Sequence, residues 1–255
     1  MLELKNICVS FRSERQEKIF GTTRTQVLFD VCLSVPQGTC LGILGESGSG
    51  KSTLLRCINR LIRPTAGQVF VNGVDISKIS EKELLQVRRK ELAMVFQNFG
   101  LLPHRSVLSN IAFGLELQGV KKEERAKKAM ESMMLVGLKG YENQMVGELS
   151  GGMQQRVGLA RALANNPEVL LMDEAFSALD PLIRVQMQDE LLALQSKMKK
   201  TIVFITHDLS EAIKLGDRIA IMKDGEVVQV GTSEEILTEP ANDYVARFVE
   251  NVDRS

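Results

Sequence analysis

Residues 45–53 read Gly45-Glu46-Ser47-Gly48-Ser49-Gly50-Lys51-Ser52-Thr53. This run fits the pattern G-x-x-x-x-G-K-[ST], which forms loops that bind phosphate groups. The short apolar run at 39–44 predicts a buried strand before the loop, and residues 54–62 follow with helical spacing and no helix breaker. The pattern therefore lies between a strand and a helix, which is the context that a phosphate-binding loop requires.

The residue types of this loop suit a polyphosphate, which is a dense negative charge. Glycine at positions 45, 48 and 50 lets backbone N–H groups approach phosphate oxygens with no Cβ in the way. A helix that begins near Gly50 directs its positive end to the same place. Lys51 supplies a mobile positive charge for the outer phosphates, and the hydroxyl of Ser52 is a ligand of the kind that Mg²⁺ prefers. The alternative is an ordinary glycine-rich turn, and the flanking strand and helix argue against it.

The composition argues against several classes of protein. Lys and Arg number 32, as do Asp and Glu, so charge gives no reason to expect binding to nucleic acid or to an anionic membrane surface. No apolar run approaches the ~18 residues of a membrane span, and the N-terminus lacks the apolar core of a signal peptide. The cysteines show no C-x-x-C pair, which predicts reduced, mostly buried thiols in a cytosolic protein and argues against a metal site. They are Cys8, Cys32, Cys40 and Cys57.

Strands and helices alternate after the loop, which predicts an α/β fold with a mainly parallel sheet. The runs 169–172 and 201–206 are apolar without alternation, as expected of strands that are buried on both faces. Residues 2–10 and 27–35 read as strands, and we assign them to an antiparallel β part at the N-terminus.

The composition changes at Asn98, after which the pattern is helical with charged faces and several methionines as far as Ala164. We therefore predict a P-loop NTPase core formed by 1–97 and 165–255, with an inserted helical subdomain at 98–164.

Helix caps can be read at three places. Ser80 and Glu83 fit a capping box. Asp180, with Pro181 after it, fits the start of a helix that runs to about 198. We expect Ser233 to cap the first of the last two helices.

Polar residues follow the ends of several apolar strands: Gln97, Asp173, Glu174 and His207. Ligands of parallel sheets bind at the carboxyl ends of the strands, so we expect these side chains to converge near the phosphates. Asp173 is placed to hold Mg²⁺, and Glu174 to polarise an attacking water molecule. His207 is expected at the γ-phosphate, and Gln97 is expected to bind Mg²⁺ or water through its side-chain carbonyl. The alternatives are helix-capping carboxylates and an ordinary core or surface histidine.

A second feature suited to phosphate begins at Leu149, in the run Leu149-Ser150-Gly151-Gly152-Met153-Gln154-Gln155-Arg156. Ser150 is a good N-cap, and the backbone of Gly151 and Gly152 exposes N–H donors at the positive end of a helix. A chain with two such features far apart in sequence makes sense if each nucleotide is shared between two copies.

This second run resembles the signature of ATP-binding cassette (ABC) proteins. That family's other nucleotide motifs resemble the phosphate-binding loop, Gln97, Asp173-Glu174, residues 177–180 and His207, which occur in the family's usual order over essentially the whole chain. The resemblance implies ATP and Mg²⁺ as ligands and a homodimer that encloses two nucleotides. Ser150, Gly152 and Gln154 of one subunit are then expected to touch the γ-phosphate that Lys51 of the other holds.

The resemblance also implies roles for three further side chains. Glu174 is expected to be the catalytic base. Asp180 is expected to couple the two nucleotide sites. Phe11 is the best match for the aromatic residue that stacks on adenine, although the polar loop that follows it differs from short cassettes.

Residues 173–184 resemble the ATPase subunits of glycine betaine/proline importers more specifically, and residues 59–62 and 240–245 agree with that group. This resemblance implies a peripheral protein at the cytoplasmic face of the plasma membrane. Its partners would be membrane permease subunits and, indirectly, a periplasmic or extracellular solute-binding protein. Residues 99–104 are expected to dock a permease helix. Such subunits usually continue into regulatory CBS modules, and this sequence stops at Ser255.

Other functions remain open at this point. The chain fits an importer of another small solute, such as methionine or another amine, because a cassette does not contact the solute. A soluble cassette that acts on DNA or ribosomes usually has two cassettes or a long coiled-coil insertion, and neither is visible. A regulator that does not hydrolyse ATP would be expected to lack Glu174 or His207, and both are present.

Overall fold

The computed structural model describes residues 1–12, 24–177 and 179–250. The chain forms two compact units, one built from Met1–Leu84 with Ile205–Ser255 and the other from Leu85–Phe204. The predicted helical subdomain at 98–164 falls wholly within the second unit. Its predicted limits differ from the boundaries of the units and remain a prediction.

The elements of the described residues are numbered in chain order. The strands are β1 Leu2–Arg12, β2 Arg24–Val35, β3 Cys40–Leu44, β4 Ala66–Val71, β5 Val74–Asp75, β6 Leu92–Val95, β7 Val169–Met172, β8 Thr201–Thr206, β9 Arg218–Lys223 and β10 Glu226–Gly231. The helices are α1 Lys51–Ile58, α2 Glu81–Lys90, α3 Val107–Ile111, α4 Phe113–Leu117, α5 Lys122–Leu135, α6 Gly151–Ala164, α7 Pro181–Met198, α8 Leu209–Leu215, α9 Ser233–Thr238 and α10 Asp243–Glu250, with a 3-10 turn at Val146–Glu148.

The first unit holds the predicted antiparallel part, a sheet with the strand order β2-β1-β4-β5. Every pairing in it is antiparallel. Apolar residues of β1 such as Leu2, Leu4 and Val9 are buried, because one face of the sheet packs on the core. In the same unit β3 pairs with β9 in parallel, and β9 pairs with β10 as an antiparallel hairpin. All of β3 is buried, as its continuous apolar sequence predicts.

The second unit contains β6, β7 and the residues of β8 up to Phe204, which pair in parallel in the order β6-β7-β8. All four residues of β7 are buried, which agrees with the unbroken apolar run at 169–172. Helix α6 packs against α3, α4 and α5, and these helices make up the predicted helical segment. The structure thus confirms an α/β fold with parallel strands, an N-terminal antiparallel part and a helical insertion.

Two of the three predicted caps are confirmed. The backbone N–H of Ser80 donates to Glu83 Oε2 at 2.9 Å, and the N–H of Glu83 donates to Ser80 Oγ at 3.3 Å. Asp180 Oδ1 accepts from the N–H of Ile183 at 3.1 Å at the start of α7. The assignment of Ser233 is wrong, because Thr232 caps α9.

All four cysteines are free thiols. Cys40 and Cys57 are buried, and burial raises the pKa of each thiol to about 12. Cys8 is half-buried and Cys32 is exposed, so the prediction of mostly buried thiols holds for only two of them. Among the described residues, no group of three or more His, Cys, Asp or Glu side chains could hold a metal ion. No helix in the same part of the chain combines the length and the hydropathy of a membrane span.

Candidate nucleotide-binding site

The predicted phosphate-binding loop lies in the first unit, between the end of β3 and the start of α1. Gly50 is the N-cap residue of α1 with φ 97°, and no side chain caps the helix there. Gly48 also has a positive φ, of 84°. Both values lie in the left-handed region, where glycine carries no Cβ penalty. The uncapped end of α1 therefore presents backbone N–H groups, as an anion site at a helix N-terminus requires.

Lys51 is held over this loop. Its side chain is buried, and Nζ donates to the carbonyl oxygens of Gly45 and Glu46, both at 2.8 Å. A buried ammonium group that bonds to loop carbonyls is well placed to meet the phosphates of a nucleotide. Lys51 and the loop residues that it contacts thus lie within one unit, as the motif predicts.

The loop also packs closely against its surroundings. A Cβ added at Gly45 would lie 2.4 Å from the carbonyl oxygen of Met222 and 2.7 Å from Ser49 Oγ. The N–H of Gly225, in the β9–β10 turn, donates to the carbonyl of Ser49 at 3.1 Å. Ser49 Oγ itself is buried with no hydrogen-bond partner among the described residues. A buried hydroxyl without a partner inside a glycine-rich loop fits a ligand with many acceptor oxygens.

The predicted catalytic and metal-binding carboxylates lie in the second unit. Asp173 and Glu174 follow β7, and Gln97 lies two residues beyond β6, so the parallel pairing brings these side chains to one edge. Gln97 Nε2 donates to Glu174 Oε2 at 3.1 Å. The buried Asp173 donates its backbone N–H to the carbonyl of Val95 at 3.0 Å. The structure therefore brings Gln97 and Glu174 together, as the strand ends predict.

Glu174 has φ 48°, which is unusual for a residue with a long side chain. A left-handed residue of this kind costs about 1–3 kcal/mol and persists only where neighbouring contacts hold it. The hydrogen bond from Gln97 and the bonds from Ser177 Oγ and N–H to the carbonyl of Glu174, at 2.9 and 3.2 Å, provide such contacts. The carboxylate is thus held in a fixed direction.

His207 belongs to the first unit. It is exposed and follows the last residue of β8, directly before Asp208, which caps α8. Its place after a strand agrees with the sequence analysis. Its convergence with the carboxylates of the second unit remains a prediction.

The signature run forms the start of α6. Ser150 is the N-cap, and its Oγ accepts from the N–H of Met153 at 3.4 Å. Gln154 Nε2 donates to the carbonyl of Leu149 at 3.1 Å. A Cβ added at Gly151 would meet no atom within 4 Å, whereas one at Gly152 would lie 2.8 Å from Ile183 Cγ2. The helix start is therefore open at Gly151 and packed at Gly152.

Phe11 lies on β1 with 43% of its surface exposed, so its ring is accessible. Its predicted contact with adenine remains a prediction. Asp180 acts as a helix cap, and its predicted role in coupling two sites also remains a prediction.

Sequence reasoning missed Arg161. This side chain of α6 donates to the carbonyls of Gly100 at 2.7 Å and of Phe99 at 2.6 Å. Both acceptor residues have positive φ, 56° for Phe99 and 54° for Gly100. Burial lowers the pKa of the Arg161 guanidinium. Arg161 therefore fixes the segment after Gln97 to the signature helix. The only hint in the sequence is a charged residue within the otherwise apolar run that follows the signature.

Comparison with known proteins gives the family. The family described as "ABC transporter" matches residues 28–177. A glycine betaine/carnitine transport ATP-binding protein of Listeria monocytogenes is 64% identical over 222 residues, which are 87% of this chain and 56% of that protein. The glycine betaine/proline betaine transport system ATP-binding protein of Escherichia coli is 56% identical over 100% of this chain and 67% of its own length. The chain thus spans about three fifths of the length of these relatives.

A solved structure supports the same assignment. The dimeric bacterial ABC transporter cassette MJ0796 has a TM-score of 0.82 and 35% identity, and the match covers 91% of this chain and 99% of that one. More than half of the chain matches the family, and the fold agrees over nearly its whole length. The chain therefore belongs to the ABC transporter family, as one of its ATP-binding cassettes.

Proposed function

We propose that this chain is the ATP-hydrolysing subunit of an ABC importer for glycine betaine, proline or a related compatible solute. The observation that carries the proposal is the pair of Gln97 and Glu174. Gln97 Nε2 donates to Glu174 Oε2 at 3.1 Å, and Glu174 lies just after the buried parallel strand β7. A fixed carboxylate is what the activation of a water molecule needs. We propose that the phosphate-binding loop of the same chain binds the phosphates of ATP.

Different groups of the loop bind different parts of the polyphosphate. Lys51 supplies positive charge to the outer phosphates, and backbone N–H groups of the loop bind the remaining oxygens. Thr53, like Ser52, follows the lysine in the first turn of α1. The side chains of Ser52, Asp173 and Gln97 offer oxygen ligands of the type that Mg²⁺ prefers, and an ion held by them would neutralise phosphate charge.

Hydrolysis requires a nucleophile and a way to stabilise developing charge. Glu174 accepts a proton from the attacking water molecule, and His207 bonds to the γ-phosphate. Two copies of the chain are proposed to enclose two ATP molecules, with Ser150, Gly152 and Gln154 of one copy facing the nucleotide of the other. The dimeric assembly of the related cassette supports this arrangement.

The solute and the partners are inferred from relatives. Both curated relatives described above carry glycine betaine in their names. We propose that the chain works at the cytoplasmic face of the membrane, with a permease that docks on residues 99–104 and with a separate solute-binding protein. Closure of the ATP-bound dimer and its reopening after hydrolysis drive the permease.

Uptake of labelled glycine betaine at high osmolarity tests the proposal. The strain lacks its own copy of this gene and expresses either the unchanged chain or its Glu174→Gln form. We expect uptake with the unchanged chain and less than about a hundredth of it with the variant. No uptake from the unchanged chain, with ATPase activity intact in the purified protein, would contradict the proposed solute and leave the family unaffected. An added excess of unlabelled methionine distinguishes the alternative solute, because it should not compete.

A further inference from the structure

The peptide group between Gly45 and Glu46 is held at both ends. Its carbonyl, on Gly45, accepts from Lys51 Nζ at 2.8 Å. Its N–H, on Glu46, donates to Tyr244 Oη at 3.4 Å. A rotation of this peptide would break both bonds at once. The orientation of one peptide in the phosphate-binding loop therefore depends on a tyrosine of the C-terminal helix α10.

The Tyr244 hydroxyl both donates and accepts a hydrogen bond. It donates to the carbonyl of Met222 at 3.2 Å while it accepts from Glu46. A hydroxyl whose proton is committed to one carbonyl can present its lone pairs to the other partner. The side chain is only 5% exposed, and burial raises the pKa of the hydroxyl, so the group stays a donor at neutral pH.

The ring of Tyr244 is fixed independently of its hydroxyl. Asn242 Oδ1 accepts from the N–H groups of Tyr244 at 3.0 Å and Val245 at 3.1 Å, which defines the start of α10. Phe248 packs edge-on against the ring with centroids 5.2 Å apart, and Lys223 Nζ lies 5.0 Å from the ring centroid. Tyr244 also belongs to a buried cluster of the first unit with Leu44. These contacts hold the ring in place, and the ring fixes the position of the hydroxyl.

The carbonyl of Met222 contacts both Tyr244 and the loop. Its carbonyl accepts from Tyr244 and would lie 2.4 Å from a Cβ at Gly45. The end of β9 thus limits how far the loop backbone can move in one direction, and Tyr244 limits the rotation of the peptide. All of these contacts lie within the first unit.

We propose that Tyr244 is a positioning residue for the phosphate-binding loop, which orients the Gly45–Glu46 peptide and, through its carbonyl, the ammonium group of Lys51. The proposal rests on the proposed role of residues 45–53 in binding the phosphates of the nucleotide. Without the hydroxyl, the Glu46 N–H loses its partner and the peptide turns to find another. Lys51 then loses its contact with the Gly45 carbonyl, and its ammonium group shifts.

The test is a calorimetric titration of the purified full chain with MgADP, which binds without turnover. Tyr244→Phe keeps the ring and removes only the hydroxyl. We expect about a fivefold to tenfold higher Kd, which is the usual effect of one lost hydrogen bond with an unsatisfied donor. The KM for MgATP should rise by a similar factor while kcat at saturation changes less than about twofold. Tyr141→Phe, in the second unit, is the matched control and should leave Kd and KM unchanged.

Two further variants separate the possible failures. Lys51→Ala should abolish detectable binding, and if it binds as the unchanged chain does, the proposed role of the loop fails. If Lys51→Ala loses binding while Tyr244→Phe keeps the original Kd, the role of the loop in nucleotide binding is supported and the inference about Tyr244 is overturned. Phe248→Leu removes the ring contact and keeps the hydroxyl, so it should lower the melting temperature without raising Kd. A rise in Kd equal to that of Tyr244→Phe would assign the effect to helix packing and overturn the proposal.

Discussion

Replacing Glu174 by Gln is expected to lower kcat for ATP hydrolysis by about 100-fold or more while ATP binding is retained. A positioned general base contributes about 10²–10⁴ in rate, and an amide cannot take up the proton. The amide has the shape of the carboxylate, and its oxygen can still accept the bond from Gln97 that the carboxylate accepts at 3.1 Å. Phosphate release at saturating MgATP measures the loss. Light scattering with ATP should then show a dimer that persists.

Glu168→Gln is the matched control for this variant. Glu168 lies in the same unit with an exposed carboxylate, and its Oε1 is 3.7 Å from Nζ of the less exposed Lys200. A single ion pair of this length contributes little, so we expect kcat within about twofold of the original. Full turnover by the Glu174 variant would exclude Glu174 as the base.

Substitution of Gly45 by Ala is expected to weaken MgADP binding by roughly 10- to 100-fold. The new Cβ would lie 2.4 Å from the carbonyl of Met222 and 2.7 Å from Ser49 Oγ, so the loop backbone must shift. Overpacking of this kind costs about 1–3 kcal/mol. The shift moves the Gly45 carbonyl that holds Lys51, so the cost appears in nucleotide affinity. Calorimetric titration measures the affinity directly.

Gly147→Ala serves as the control for Gly45→Ala. Gly147 lies in the 3-10 turn at Val146–Glu148, and a Cβ there would meet no atom within 4 Å. We expect its Kd for MgADP to be unchanged. If Gly45→Ala also left the Kd unchanged, the close approach of the loop to Met222 would have no role in nucleotide binding.

The elements that the sequence predicted well have a strong local signal. The run 169–172 has no polar residue, and only a strand covered on both faces suits it, which the fully buried β7 confirms. The motif at 45–53 specifies its own backbone through its glycines. The closeness of Gln97 and Glu174 could also be predicted, because both follow strands of one parallel sheet.

The remaining features depend on contacts that leave no local signal. The bond from Arg161 to Gly100 spans 61 residues, and the bond from Glu46 to Tyr244 spans 198. The left-handed backbone of Glu174 comes from its surroundings, since its residue type does not favour it.

The cap of α9 was misplaced by one residue for a local reason. Thr232 and Ser233 both offer a hydroxyl, and Glu235 lies three residues after Thr232, so the reciprocal bonds form with Thr232. The bond from the Thr232 N–H to Glu235 Oε2 measures 2.8 Å. The three-residue spacing between Thr232 and Glu235 is visible in the sequence, and it predicts the cap better than the presence of a hydroxyl alone.

The contact between Tyr244 and the phosphate-binding loop has an optical consequence. The chain contains no tryptophan and only two tyrosines, so its ultraviolet emission comes from Tyr141 and Tyr244. Tyrosine emission changes when the hydroxyl gains or loses a carbonyl acceptor, and Tyr244 donates to the carbonyl of Met222 beside the loop. We therefore expect the tyrosine emission of the unlabelled protein to change when a nucleotide binds, so that binding can be followed in real time without a label.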